Sequence, residues 1–335
     1  MTSVAATQSS PRLQHLPLPL FAAPMGLGGL GLAWREAGNV LHLPALIGEI
    51  FMASAAIVWL LLAASHLLRA ARHPQALGED LRHPIRSAFA AAVTVGLMIL
   101  SGGLSPHAPE AARMLWLTAV TLHLGIAVWI VRGLLSKPRD TGSLLPPLLI
   151  PLVGNILAPA FGAGMGYETL CWMLFGIGAL LWIAIQPAML SRIISGPPIP
   201  ERMRPALAIL VAPPAAGSLS LAALLGDFGP ASAALLGFAL LIAAALLSMA
   251  RALFAVPFSV AWWAWTFPSA AMTVAALKAG HAHPTSWTGF ALGTLLVAIT
   301  ILILTIAAMT LRAMLSGALF QPEPALPAKA MDHTP

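Results

Sequence analysis

Groups able to do chemistry are few in this 335-residue chain, and most stand alone. Glu49 lies a few residues inside a long apolar stretch, where an ionisable group is expensive and usually functional. Glu168, Arg132 and Arg251 fall near the ends of such stretches, close enough to extend their charged tips into an interface. His66 and His123 are also in apolar stretches, and histidines there can ligate haem. A haem between helices needs facing pairs, whereas these two sit in separate stretches. The His281-Ala-His283 pair is a weak metal signal, since a stable site needs more ligands. A single cysteine, Cys171, excludes an intrachain disulfide and a paired-thiolate metal or redox site. Neither a Ser/His/Asp grouping nor a His/Asp/Glu cluster is present to support hydrolysis or metal catalysis. The residues predict no enzyme, no metal and no cofactor.

What must position these sparse polar groups is a set of membrane helices. Apolar residues make up 59% of the chain and charged ones 8%, against roughly 25% charged in a soluble domain. At about 20 apolar residues per span, the content matches ten spans. Polar breaks place them near 17–35, 45–69, 85–105, 112–134, 145–163, 169–191, 205–226, 231–253, 257–277 and 287–313. Residues 1–16 form a polar tail. The first span is long and glycine-rich and ends at Trp34-Arg35, which favours a retained helix over a cleaved signal peptide. Residues 316–335, proline-rich and polar from Gln321, predict a disordered tail, leaving 17–315 as one all-α membrane domain. The formal charge of +6 is scattered between apolar segments. That pattern argues against nucleic acid and for anionic lipid headgroups and an anionic solute as partners.

Of the 17 Lys and Arg residues, all but Arg35, Arg113 and Lys278 fall on the two tails and the even-numbered loops. The positive-inside rule then puts both termini in the cytoplasm, which an even number of spans satisfies. Among the even spans only the sixth holds a proline, Pro187 near its cytoplasmic end. Prolines otherwise sort onto alternate spans: Pro24, Pro151, Pro213, Pro214 and Pro268 lie in the first, fifth, seventh and ninth. At 1.5 Å per residue they sit roughly 10–15 Å deep. The third span lacks one but carries Gly96 and the Gly102-Gly103 pair. An interior proline removes a backbone hydrogen bond and kinks the helix. In a membrane such a break is tolerated where it is buried or lines a wet cavity. Recurrence at about 60 residues predicts five helical hairpins. The bent odd helices would ring a path, and the straighter even ones would face lipid.

Several stretches carry a resemblance. FSVAWWAWTFP, Phe258 to Pro268, closely resembles the ninth helix of the plant guard-cell slow anion channels. LPLPLFAAPMGLGGLGLAW resembles the first helix of the bacterial tellurite-resistance/C4-dicarboxylate transporter family, the TehA-like proteins. PIRSAFAA, GYETLCWMLFGIGALLW and AMLSR extend the likeness across Leu16 to Leu315. The resemblance implies ten helices as five hairpins in quasi-fivefold arrangement around a central pore. It also implies a homotrimer with one pore per subunit, in a bacterial inner membrane, and a phenylalanine plug matched here by Phe267. The chain departs from the pattern in its proline-free third span and in Gln186, where relatives often carry glutamate.

A path so poor in charge offers backbone donors and small polar groups, with Thr94, Asn155, Ser218 and Ser269 as the candidates, behind a basic cytoplasmic rim. Weak binding suits conduction, because an ion must leave as readily as it enters. The expected function is passage of small anions (C4-dicarboxylate, tellurite, sulfite or inorganic ions) down their gradient, gated by Phe267. Without the resemblance, Phe267 reads as a packing residue. The alternative is a proton-coupled efflux transporter for tellurite or organic cations, in which Glu49 is the only candidate proton carrier. Trp262, Trp263 and Trp265 are expected to pack at a helix contact rather than hold a cation.

Overall fold

A computed structural model describes residues 12–136 and 141–321; residues 1–11 and 322–335, with Lys137, Arg139 and Lys329, lie outside the described residues. All regular structure among the described residues is helical. The α-helices are α1 (Ala22–Leu41), α2 (Ala45–Arg72), α3 (Pro74–Arg82), α4 (Ala90–Leu104), α5 (Pro109–Ser136), α6 (Leu149–Val153) and α7 (Pro159–Gly162). They continue as α8 (Glu168–Ser195), α9 (Ala212–Leu225), α10 (Pro230–Ser248), α11 (Ala250–Phe254), α12 (Thr266–Ala282) and α13 (Thr288–Leu315).

Five segments, those expected as the first, third, fifth, seventh and ninth spans and so numbered below, begin alike. A 3-10 stretch leads into an α-helix at Leu18–Phe21 before α1, Arg86–Phe89 before α4, Pro146–Leu148 before α6, Glu201–Val211 before α9 and Val260–Trp265 before α12. The expected prolines mark four of the junctions. Pro24, Pro151 and Pro268 are each the third residue of their helix, and Pro213-Pro214 are the second and third of α9. A proline there withholds one i→i−4 bond at the point where the tighter i→i−3 winding ends, and its fixed φ suits a first turn. The third segment makes the same change at Phe89/Ala90 with no proline. Gly96, expected to bend that segment, lies inside α4, and a Cβ there would stand 3.0 Å from Trp59 Cδ1. It gives room to a tryptophan of α2 rather than making a bend.

The fifth segment is the most broken. After α6 it winds as 3-10 through Gly154–Leu157 and resumes as α7 at Pro159. The freed backbone is satisfied by neighbours. Ser220 Oγ donates to Ile156 O at 2.5 Å and accepts from the Ala160 N–H at 3.1 Å, and Trp116 Nε1 donates to Ala158 O at 3.0 Å. Such replacement partners are what a bilayer interior demands of irregular backbone.

Eight helical stretches among the described residues are long and apolar enough to cross a membrane, and their burial sorts them. Stretches 86–104, 146–165 and 201–225 are 72, 61 and 67% buried within the fold, whereas α2, α5, α8, α10 and α13 are 17–33% buried. The exposed residues of the second set are large and apolar, among them Leu60, Leu61, Ile183, Leu241 and Ile301. A surface of that kind fits hydrocarbon and not water. Helices α1 and α12 fall outside the eight; α1 carries Arg35 and Glu36, and the 17-residue α12 carries Lys278. Both are buried along most of their length. Helices α1 and α2 cross in backbone contact, since a Cβ on Gly48 would stand 2.8 Å from Gly31 O.

The C-terminal segment joins the fold further than its polarity predicts. Ala318–Phe320 forms a 3-10 turn, and Leu319 is buried with Leu16 and Leu20.

Candidate pore and its flanking polar groups

The five inner segments surround a cavity with about 390 Å3 of empty space, counting its open end. Its wall draws on each of them: Met25 of α1, Val95 of α4, six residues between Leu149 and Leu157 in the fifth segment, four between Ile209 and Ala216 in the seventh, and Phe267 of α12. No residue of α2, α5, α8, α10 or α13 lines it. Phe267 is the one aromatic ring in the wall, 8% exposed, and a Cβ on Gly29 would stand 3.4 Å from its Cδ2. The ring therefore rests on α1 across the cavity edge.

Every lining residue is apolar or glycine. Of the residues expected at the path, Phe267 and Pro213 are in the wall. Pro24, Gly96, Pro151, Pro214 and Pro268 are buried within two residues of it. The polar candidates are placed differently. Thr94 Oγ1 donates to Ala91 O at 2.9 Å and lies 2.7 Å from His123 Nδ1. A hydroxyl has one proton, so His123 Nδ1–H donates to Thr94 and the neutral ring's Nε2 keeps its lone pair. That Nε2 is buried without a partner, against Gly154 of the cavity wall. Ser218 Oγ donates to Ser232 O at 2.8 Å, tying α9 to α10. Asn155 is fully buried between two lining residues, with both side-chain polar atoms unpartnered. Ser269 is half-buried, and its carbonyl accepts from Thr273 Oγ1. None of the four polar side chains lines the cavity.

Charge collects at the two ends. At one end Asp80, 3% exposed, bridges two arginines: Oδ2 to Arg69 Nη1 at 2.6 Å and Oδ1 to Arg86 Nη1 at 2.9 Å. Arg69 also donates Nε to Gln14 O at 2.9 Å. The cluster of two arginines and one aspartate holds one net positive charge where the third span begins. At the other end Arg35 grips Glu49 through Nε and Nη2, at 2.7 and 2.6 Å, and donates to Gly103 O at 2.7 Å. His107 Nε2 approaches the same carboxylate at 3.0 Å. The tryptophans pack as expected: Trp262 and Trp265 lie 5.3 and 5.2 Å from Phe254, and Trp263 Nε1 donates to Thr310 Oγ1 at 2.9 Å.

The apolar lining residues carry no signal in an apolar sequence. Pro159 is a legible helix breaker, and its missing N–H explains the gap in the fifth segment.

Comparison with known proteins places the chain among anion channels and their relatives. The voltage-dependent anion channel (SLAC1) family matches residues 15–311. The guard cell S-type anion channel SLAC1 of Arabidopsis thaliana is 23% identical over 285 residues, covering 82% of this chain and 51% of the plant protein. The tellurite resistance protein TehA homolog of Haemophilus influenzae is 24% identical over 201 residues, 59% of this chain and 61% of that protein. An uncharacterized transporter of Methanocaldococcus jannaschii is 24% identical over 277 residues, 74% of this chain and 80% of its own length. The chain spans about half the length of the plant relatives it matches. With nearly the whole helical body covered by one family match, the chain belongs to the SLAC1 family of voltage-dependent anion channels.

Proposed function

We propose that the chain passes small anions across a bacterial inner membrane through the cavity enclosed by its five inner segments, and that Phe267 closes it. The observation that carries this is the composition of the wall, to which all five inner segments contribute and no outer helix does. In this reading α1 and α12 span the membrane beside the eight more apolar stretches, which makes ten spans in five hairpins with quasi-fivefold symmetry. Both termini face the cytoplasm, with the Arg69–Asp80–Arg86 cluster at the cytoplasmic mouth, and three copies assemble with one pore each.

A wall without fixed charge favours conduction over tight binding. Attraction for an anion comes from the net positive cluster at the mouth, acting at long range through a low-dielectric rim. The solute on this reading is a small anion such as chloride, nitrate, a C4-dicarboxylate, sulfite or tellurite. Opposing the proton-coupled alternative, Glu49 is held bidentately by Arg35 near a helix end rather than halfway through the membrane.

Reconstitution into liposomes tests the proposal. An imposed chloride, nitrate or malate gradient should drive a current that reverses with the anion gradient and ignores the cation. A current that follows the cation, or that requires a proton gradient, would overturn it.

A further inference from the structure

Two arginines are buried among the described residues, Arg69 and Arg192. Arg69 has Asp80 and the Gln14 carbonyl. Arg192, 7% exposed in the last turn of α8, has no carboxylate among the described residues. Its Nη2 reaches Gly142 O at 3.4 Å, longer than an ordinary hydrogen bond, and its Nε and Nη1 are buried without any partner. A guanidinium taken out of water without a counter-charge is among the costliest arrangements a fold can hold. Nitrogens on both sides of the weakly bonded Nη2 have no partner, so either edge of the planar fork has donors to give to two oxygens of one oxyanion.

The surroundings point to the class of anion. Leu190 and Ile194, flanking Arg192 in sequence, are 36 and 80% exposed on the apolar outer surface. The Thr141–Ser143 turn meets α8 at this level through Gly142. A cation at the end of a span, with greasy neighbours on the outside, matches a phosphate at headgroup depth.

We propose that Arg192 is a phosphate-binding site, formed where the last turn of α8 meets the Thr141–Ser143 turn. The phosphate belongs to a phospholipid or is inorganic phosphate; the guanidinium recognises the same oxygens in either. The site stands apart from the cavity, and its test reads binding rather than flux, so it survives or fails independently of the proposed transport.

The test is thermal unfolding of the purified, delipidated protein, read by a thiol-reactive dye at the single buried cysteine, Cys171. Phosphatidylglycerol and inorganic phosphate are titrated in turn, with chloride at matched ionic strength as control. We expect one of the two to raise the midpoint of the wild type while chloride does not, and the responding ligand identifies the source. Arg192→Met should abolish that response and raise the ligand-free midpoint. Arg192→Lys, which keeps the charge without the fork, should weaken apparent affinity about tenfold and decides the matter if the methionine variant fails to fold. A wild-type response no larger than that of either variant would overturn the site. So would an Asp140→Asn variant with a lowered ligand-free midpoint and a larger phosphate response, because the chain's own carboxylate would then be the occupant.

Discussion

Gly154 is a close point of contact between the cavity wall and the helices behind it. A Cβ added there would stand 2.5 Å from both Cε1 and Nε2 of His123 and 3.3 Å from Val95 Cγ2. Ordinary contact requires roughly 1 Å more than the His123 approach allows. The ring cannot withdraw freely, being fully buried with Nδ1 held 2.7 Å from Thr94 Oγ1. Gly154→Ala should therefore cost about 1–3 kcal/mol in overpacking, with about 1 kcal/mol more if the Thr94 bond breaks. His123→Ala should cost about 2–4 kcal/mol by leaving a void of ring size. In the double variant the new methyl enters space the ring has vacated, so its cost should fall short of the sum by about 1–2 kcal/mol. Dye labelling of Cys171 during heating reads all three, since that buried thiol is the only one in the chain. Strictly additive midpoint shifts, or a Gly154→Ala protein as stable as the wild type, would refute the steric reasoning.

Three further outcomes follow from the same packing. Asp80→Asn should destabilise the protein by about 3–5 kcal/mol, because it strands the buried Arg69. Adding Arg86→Gln should recover part of that loss, and thermal midpoints of the two variants check it. Gly48→Leu should prevent α1 and α2 from crossing, whereas Gly237→Leu, which meets nothing within 4 Å, should fold normally; yields of monodisperse protein separate them. Glu49→Gln should leave anion flux unchanged, with wild type and variant alike insensitive to an imposed pH gradient; a proton-driven flux present in the wild type and lost in this variant would favour coupled efflux.

Much of the layout is legible in the sequence. Proline on alternate stretches separates inner from outer helices with one exception, Pro187, which is exposed inside the outer helix α8, and burial of the eight apolar stretches follows the same division. The third segment shows where that signal ends. It changes from 3-10 to α at Phe89/Ala90 with neither a proline nor a glycine to announce it. The wall of the cavity is not legible at all, since Met25, Val95, Ile150 and Ile209 differ in no chemical way from residues that face lipid. Polar residues stand out in their place. Thr94 and Ser218 lie at the right level but spend their hydroxyls between helices, as small polar groups in membranes commonly do. The pairing of Arg35 with Glu49 depends on how two helices cross, which Gly31 and Gly48 permit and sequence spacing does not reveal.

The central claim is that the cavity is the anion path and that the Phe267 ring closes it. Phe267→Ala removes the one aromatic ring from a wall of aliphatic side chains and glycine, so its effect on conduction is the direct test. In liposomes under a chloride or nitrate gradient the variant should carry clearly more anion current than the wild type. A cysteine placed at Val95 or Ile209 in that background should let a thiosulfonate reagent block the current, while one at Ile301 on the outer face should not. An unchanged or smaller current in Phe267→Ala, or block from the lipid-facing position alone, would contradict the account.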